Sequence, residues 1–383
     1  MKTIYYTFVT VTLFVLYSCS GNDIKTNDGA SIEKIYNTQP DSSIVLQLDS
    51  IFTINFDPNF NVAFQDFTPV IFAFDNDSNI FMSNTKRICK FDKKGNFLNI
   101  FGEQGQGPGE ISSTIISIFI SDTCLFAYEV SKSLVHKFNT SCEFIESIPV
   151  DNTYYQFIPQ KDNSFLALNY NYDFDRKNKL ISIIKLDSTF KESTKLYSFN
   201  SELSKEGFPY DKGVKIHSGS ELYLVYKDKN KYHYDCFSLD KYEIDSIEIK
   251  QSISKFFSKD GFSDKKMKDI KEKYRRHFPQ FKNSLKEKYY LWNEELGLSI
   301  PILDSFLDSK GYLWIQTSAN DSLTYNFDIF KDGLLRNSFR YTSEENTIVY
   351  FNLHNDILFE LIIDRENDKM ILIAKRIRYE QLA

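Results

Sequence analysis

Short apolar runs alternate with polar turn clusters along most of the chain. Six segments share one form, a turn followed by a short apolar run. They are Asn79-Ile-Phe-Met-Ser-Asn, Cys124-Leu-Phe-Ala-Tyr-Glu, Ser164-Phe-Leu-Ala-Leu-Asn, Glu221-Leu-Tyr-Leu-Val-Tyr, Gly311-Tyr-Leu-Trp-Ile-Gln and Asp356-Ile-Leu-Phe-Glu-Leu. Their starts are 45, 40, 57, 90 and 45 residues apart. Before each turn lies another apolar run, at 70–74, 115–120, 156–159, 214–217, 302–307 and 348–352. A second turn family follows in five repeats, at 91–98, 138–145, 186–193, 239–246 and 330–337. The pattern predicts a four-stranded antiparallel sheet per repeat, joined by Asp/Asn/Gly hairpins.

One such sheet cannot bury both of its faces. Radial stacking buries faces between neighbours and leaves only short edges, which predicts an all-β, six-bladed β-propeller over residues 43–383. A pair of β-sandwiches and a seven-bladed ring are the alternatives. The sixth repeat runs out after a third strand at 369–379, while Ile44–Phe56 precedes the first repeat and has no place in it. That segment is expected to supply the missing outer strand and close the ring.

The 90-residue gap before the fifth repeat holds an insertion of different character, at about 259–292. Ser263 can cap a helix in which Met267, Ile270 and Tyr274 recur at helical spacing, with a break at Pro279. A second helical piece follows around Leu285 and Tyr289. Residues 263–290 carry ten Lys/Arg against four Asp/Glu. A solvated cover explains this, as does a partner-docking surface at Tyr274, Arg275, Arg276, Phe278 and Phe281.

The chain has 383 residues, a formal charge of -6 and 16% aromatic side chains. Mild acidity argues against nucleic acid as a partner, since phosphate contacts need a basic surface. Residues 1–18 carry a short basic start and an apolar stretch too brief to span a bilayer, the layout of a secretory signal. Leu16-Tyr17-Ser18-Cys19 resembles a bacterial lipobox, departing from it at Tyr17. This implies cleavage before Cys19, lipid attachment there and a flexible polar tether over 19–42; an ordinary signal peptide with an incidental Cys is the other reading. Cys89, Cys124, Cys142 and Cys236 form no CxxC or zinc spacing. They read as small buried residues, with a Cys124–Cys142 bridge as the alternative.

The most marked local motif is Phe101-Gly102-Glu-Gln-Gly105-Gln-Gly107-Pro108-Gly109-Glu110. No Lys-Ser/Thr follows it, so a phosphate loop fails and backbone geometry at a tight crossing remains. It resembles the blade junction of the six-bladed β-propeller lipoproteins of Bacteroidota, with NHL/TolB-like propellers as the wider group. The likeness covers about 43–383, and later repeats lack the motif. It implies a monomeric protein anchored in the bacterial envelope, at the outer membrane, and supplies no catalytic residues.

Chemistry is thinly marked. Asp75-Asn76-Asp77-Ser78-Asn79 imitates the start of a calcium loop, but Ile80 and Lys86 break the template, leaving an Asx-type turn. His217 and His354 fall beside inner strands and, with Asp304, are candidates for a channel metal site. The leading expectation is a non-catalytic scaffold, without cofactor, for a carbohydrate, peptide or envelope protein. The alternative is a hydrolase or lyase of the six-bladed lactonase or amidating-lyase type, which would take calcium or zinc.

Overall fold

The computed structural model describes residues 33–36, 40–56, 70–83, 87–173, 178–202, 214–228, 231–238, 248–256, 304–318, 324–343, 347–364 and 369–381, with isolated positions between them. The described chain starts with β1 (Glu33–Tyr36) and β2 (Ile44–Asn55). Six sheets follow in chain order. Sheet one holds β3 (Ile71–Phe74), β4 (Ile80–Ser83), β5 (Ile88–Phe91) and β6 (Phe97–Phe101). Sheet two holds β7 (Ile115–Ser121), β8 (Cys124–Glu129), β9 (Leu134–Asn139) and β10 (Phe144–Pro149). Sheet three is β11 (Tyr154–Pro159), β12 (Phe165–Asp173), β13 (Asn178–Leu186) and β14 (Glu192–Glu202).

Sheet four is β15 (Lys215–Ser218), β16 (Leu222–Asp228), β17 (Lys231–Ser238) and β18 (Glu248–Phe256), with β1 added in parallel at its outer edge. Sheet five is β19 (Asp304–Leu307), β20 (Leu313–Ser318), β21 (Thr324–Lys331) and β22 (Leu334–Thr342). Sheet six combines β23 (Thr347–His354), β24 (Ile357–Asp364) and β25 (Lys369–Gln381) with β2 as its outer strand. β2 pairs antiparallel with β25 from Ile44–Gln381 to Asn55–Ile371, with one bulge between Ser50 and Phe52.

Strand alternation explains why these sheets associate. Along β8, Leu125 and Ala127 face sheet one while Phe126 and Tyr128 face sheet three. The same two-sided burial recurs at every junction. Phe81, Ile88, Phe101 and Phe138 fill the gap between sheets one and two. Phe126, Phe157, Phe165 and Phe190 fill the next. Leu168, Ile183, Leu222 and Phe237 lie between three and four, and Val225, Tyr234, Leu313 and Phe330 between four and five. Trp314, Phe327, Phe351 and Leu358 join five to six, and Phe91, Phe359, Leu361 and Leu372 join six back to one. The ring of interfaces is complete, and the architecture is the six-bladed β-propeller.

One turn chemistry recurs at the hairpins. Asp75 Oδ1 accepts from the amides of Asp77 and Asn79, Asp92 from Lys94 and Asn96, Asp187 from Thr189 and Lys191, and Asp308 from Lys310 and Tyr312. The fourth residue of each turn has positive φ: Ser78, Gly95, Phe190 and Gly311. The Asp75 segment is thus the Asx turn its failed calcium template leaves.

Some expectations need correction. The helical insertion over about 259–292 is not supported as a whole: it falls almost wholly outside the described residues, where only the isolated positions Lys271, Glu272, Arg275 and Arg276 are α-helical. The second-turn segment 239–246 lies outside the described residues too. Residues 33–36, expected within a flexible tether, form the strand β1. Cys124 and Cys142 are free thiols that pack into clusters on opposite faces of sheet two, which separates the pair suggested for a bridge.

Interface burial sets an expected ranking of substitutions. Leu361 is fully buried between sheets six and one, whereas Leu98 is 49% exposed on β6. Leu361→Ala should cost about 2–5 kcal/mol in urea unfolding, and Leu98→Ala no more than about 0.5 kcal/mol.

Candidate functional site

The first strands of the six sheets, β3, β7, β11, β15, β19 and β23, neighbour one another in sequence order, as the walls of a central channel do. Adjacent inner strands share no regular backbone ladder, so side chains tie them. The Gln156 carboxamide on β11 acts as a surrogate peptide: it donates to the Ile216 carbonyl at 2.7 Å and accepts from the Ile216 amide at 2.9 Å.

The next junction is polar and charged. Lys215 opens β15 and Asp304 opens β19, and the two form an ion pair. Their side chains are 37% and 29% exposed, so both partners reach solvent. The Lys215 ammonium also lies 5.6 Å from the Phe306 ring centre, a favourable seat for a cation over a π face. One step along the strands, His217 Nε2 meets the Ser305 hydroxyl at 2.8 Å, and Ser305 is 1% exposed. Burial pushes the His217 pKa down to about 3, helped by the Lys215 charge, so the ring is neutral at pH 7.

The structure thus brings His217 and Asp304 onto one seam, each bound to another partner. His354 lies elsewhere, at the last position of β23. Its ring stacks on Phe74 at 4.2 Å, and its Nε2 accepts from the Asn355 side chain at 2.9 Å. Burial lowers its pKa to about 4, against the pull of Asp75. Among the described residues, no group of three or more His, Cys, Asp or Glu is placed to hold a metal ion. Lys215, Ser305 and Gln156 escaped the sequence reading. The available signal was alternation: Lys215 and His217 are two apart on one inner strand, so they share a face.

The glycine-rich junction is a structural device. The Glu110 side chain folds back to accept the Gly107 amide at 2.7 Å, and the Glu110 amide returns to the Gly107 carbonyl at 3.0 Å. Gly102 and Gly109 have φ of +63° and +77°. A Cβ at Gly109 would sit 2.7 Å from Phe144 Cβ, so glycine is required for both conformation and space. Phe101 enters the core between sheets one and two, while Gly105 and Pro108 complete the loop. Of the basic surface expected on the insertion, Arg275 and Arg276 are described, half-buried and exposed respectively. Tyr274, Phe278, Phe281 and Cys19, the residue expected to carry lipid, lie outside the described residues.

No family model matches the chain, and no curated protein matches it. Solved structures do. An exported protein of Bacteroides fragilis aligns over 91% of this chain and all of its own, at 15% identity and a TM-score of 0.52. A member of the DUF4221 family from Bacteroides vulgatus aligns over 88% of this chain and 99% of its own, at 8% identity and a TM-score of 0.49. A catalytically inactive virginiamycin B lyase from Staphylococcus aureus with quinupristin covers 86% and 99%, at 8% identity and 0.44. The first likeness shows the fold alone.

Two buried titrations of opposite sign follow. The Asp235 carboxyl is 1% exposed and faces the polar side chains of Ser252 and Tyr226. Burial pushes its pKa up to about 6, with Ser252 and Tyr226 pulling weakly the other way. A raised folded-state pKa weakens the fold as pH climbs from about 4 to about 6, by up to about 3 kcal/mol. Asp235→Asn should remove that slope and raise the urea midpoint at pH 8. The depressed His217 pKa does the reverse, losing stability as pH falls from 6.5 toward about 3. His217→Gln should flatten that acid limb in the same urea series.

Proposed function

We propose that the chain is a lipid-anchored, extracytoplasmic six-bladed scaffold. It binds a carbohydrate, peptide or neighbouring envelope protein over the channel mouth at which Lys215 and Asp304 open their strands. The observation that carries this reading is the solvent-reaching Lys215–Asp304 pair beside Phe306. A paired acid and base offer a polar ligand both a donor and an acceptor, and the buried Phe306 ring beneath seats the ammonium. The mouth contributes recognition, with no bond-making step assigned to it. The name of the Bacteroides fragilis neighbour, an exported protein, supports the compartment. The Leu16–Cys19 motif supports an anchor through Cys19, and Cys19→Ala should release the protein from the membrane fraction.

On this reading β2, which pairs with β25, is also the seam of the ring. The segment nearest the anchor then completes the last sheet. The metal-dependent hydrolase or lyase gains no support from geometry, since His217 and Asp304 occupy one seam and His354 another.

The test presents the full chain to glycan and peptide arrays and to envelope extracts with crosslinking. Lys215→Ala with Asp304→Ala should weaken the strongest binding tenfold or more, about 1.4 kcal/mol, while the melting point stays within a few degrees. Undiminished binding in the double variant would remove the mouth from the account. A Cys19→Ala protein that remains membrane-bound would remove the anchor.

A further inference from the structure

A buried polar chain in sheet two is left unused by the recognition reading and does not depend on it. Glu129 ends β8 with no exposure, and His136 on β9 is 4% exposed. His136 stands directly opposite Ser147 on β10 in the strand register. The Ser147 hydroxyl is 2.9 Å from His136 Nδ1, and His136 Nε2 is 2.9 Å from Glu129 Oε2. The Ser112 hydroxyl donates to Glu129 Oε1 at 2.6 Å. Ser112 lies two residues beyond the glycine-rich junction, after Ile111, so the path of the loop at Gly102–Glu110 leads to this hydroxyl. Ser147 itself is exposed.

Proton positions follow from the carboxylate. Burial alone would raise the Glu129 pKa, but Ser112, His136, Ser113 and the charge of Lys132 together hold it below its usual value. An ionised carboxylate can only accept, so His136 Nε2 carries a proton toward it. With that proton on Nε2, the Nδ1 atom is the one that faces the Ser147 hydroxyl, and in the uncharged ring it is the base. A hydroxyl, a base and a carboxylate that fixes the base's tautomer are the parts that activate a serine. β10 is the outer edge of its sheet among the described strands, and an open edge of this kind is a source of main-chain donors for a developing oxyanion, Pro149 excepted.

We propose that Ser147 is an acylatable serine, activated by His136 and Glu129, that hydrolyses short-chain acyl esters at the open outer edge of sheet two. Ser147 Oγ attacks the ester carbonyl as its proton passes to His136 Nδ1. The tetrahedral intermediate collapses, and the departing alkoxide takes that proton and leaves as alcohol. Water then adds to the acyl-serine by the same route, releasing the carboxylic acid and restoring the hydroxyl. His136 and Ser147 are the catalytic residues, and Glu129 is a positioning residue.

The experiment treats purified full-length protein with a biotinylated fluorophosphonate, maps the adduct by peptide mass spectrometry and measures p-nitrophenyl acetate turnover. One adduct on Ser147 is expected, absent in Ser147→Ala, with turnover falling to the buffer rate. Glu129→Gln should slow labelling at least about tenfold. Ser147 is exposed, so Ser147→Ala should keep the wild-type melting point and remain informative if Glu129→Gln does not fold. Three results would overturn the proposal: no adduct on wild-type Ser147, equal turnover in wild type and Ser147→Ala, or labelling unchanged in a folded Glu129→Gln.

Discussion

Everything in this molecule depends on the burial of both faces of each sheet against its two neighbours. A four-stranded sheet with apolar residues on both sides has no stable existence in water alone. Here Leu125 and Ala127 of β8 serve one neighbour while Phe126 and Tyr128 serve the other. The same division holds around the circle, ending where Phe359 and Leu361 of sheet six meet Phe91 and Met82 of sheet one. Aromatic rings suit these wedge-shaped gaps because they bury large areas with few rotatable bonds. Phe119 contacts Phe126, Phe157, Phe165 and Phe190 within a single interface. Closure is therefore a property of shape and volume, with hydrogen bonds deciding only local register.

Polar groups persist where the apolar interfaces end. At the inner strands, Gln156 stands in for a peptide unit and Lys215, Asp304, His217 and Ser305 satisfy one another across a seam. In sheet two, Glu129 and His136 are sealed in but fully engaged. Asp235 is the contrast, a carboxyl whose burial outweighs the pull of Ser252 and Tyr226 and raises its pKa to about 6. Buried polar groups of this kind act over free energies large enough to matter in a marginally stable fold. Their chemistry is thus tied to the same interfaces that hold the ring together.

Much of the architecture was legible from the chain. The apolar runs at 70–74, 115–120, 156–159, 214–217, 302–307 and 348–352 match the six inner strands closely, because period-two burial and Asp-led turns leave local signals. The junction glycines were legible too, since Gly102 and Gly109 carry a conformational demand that other residues meet poorly. The site was far less legible. His217 and Ser305 are 88 residues apart, and only the register between neighbouring sheets brings them together. His354 looked equivalent to His217 by its place beside an inner strand, yet it stacks on Phe74 of sheet one. The array of Glu129, His136 and Ser147 follows from cross-strand register within sheet two, which turn lengths and a bulge decide and composition does not show.

Native-state hydrogen exchange tests the mutual support of the sheets most directly. Amides of the second strands β4, β8, β12, β16, β20 and β24 should share one opening free energy, set by unfolding of the whole ring. Weakening the interface between sheets six and one should lower protection in all six strands by the same amount. Independent opening of individual sheets, with protection lost only beside the weakened interface, would contradict the account.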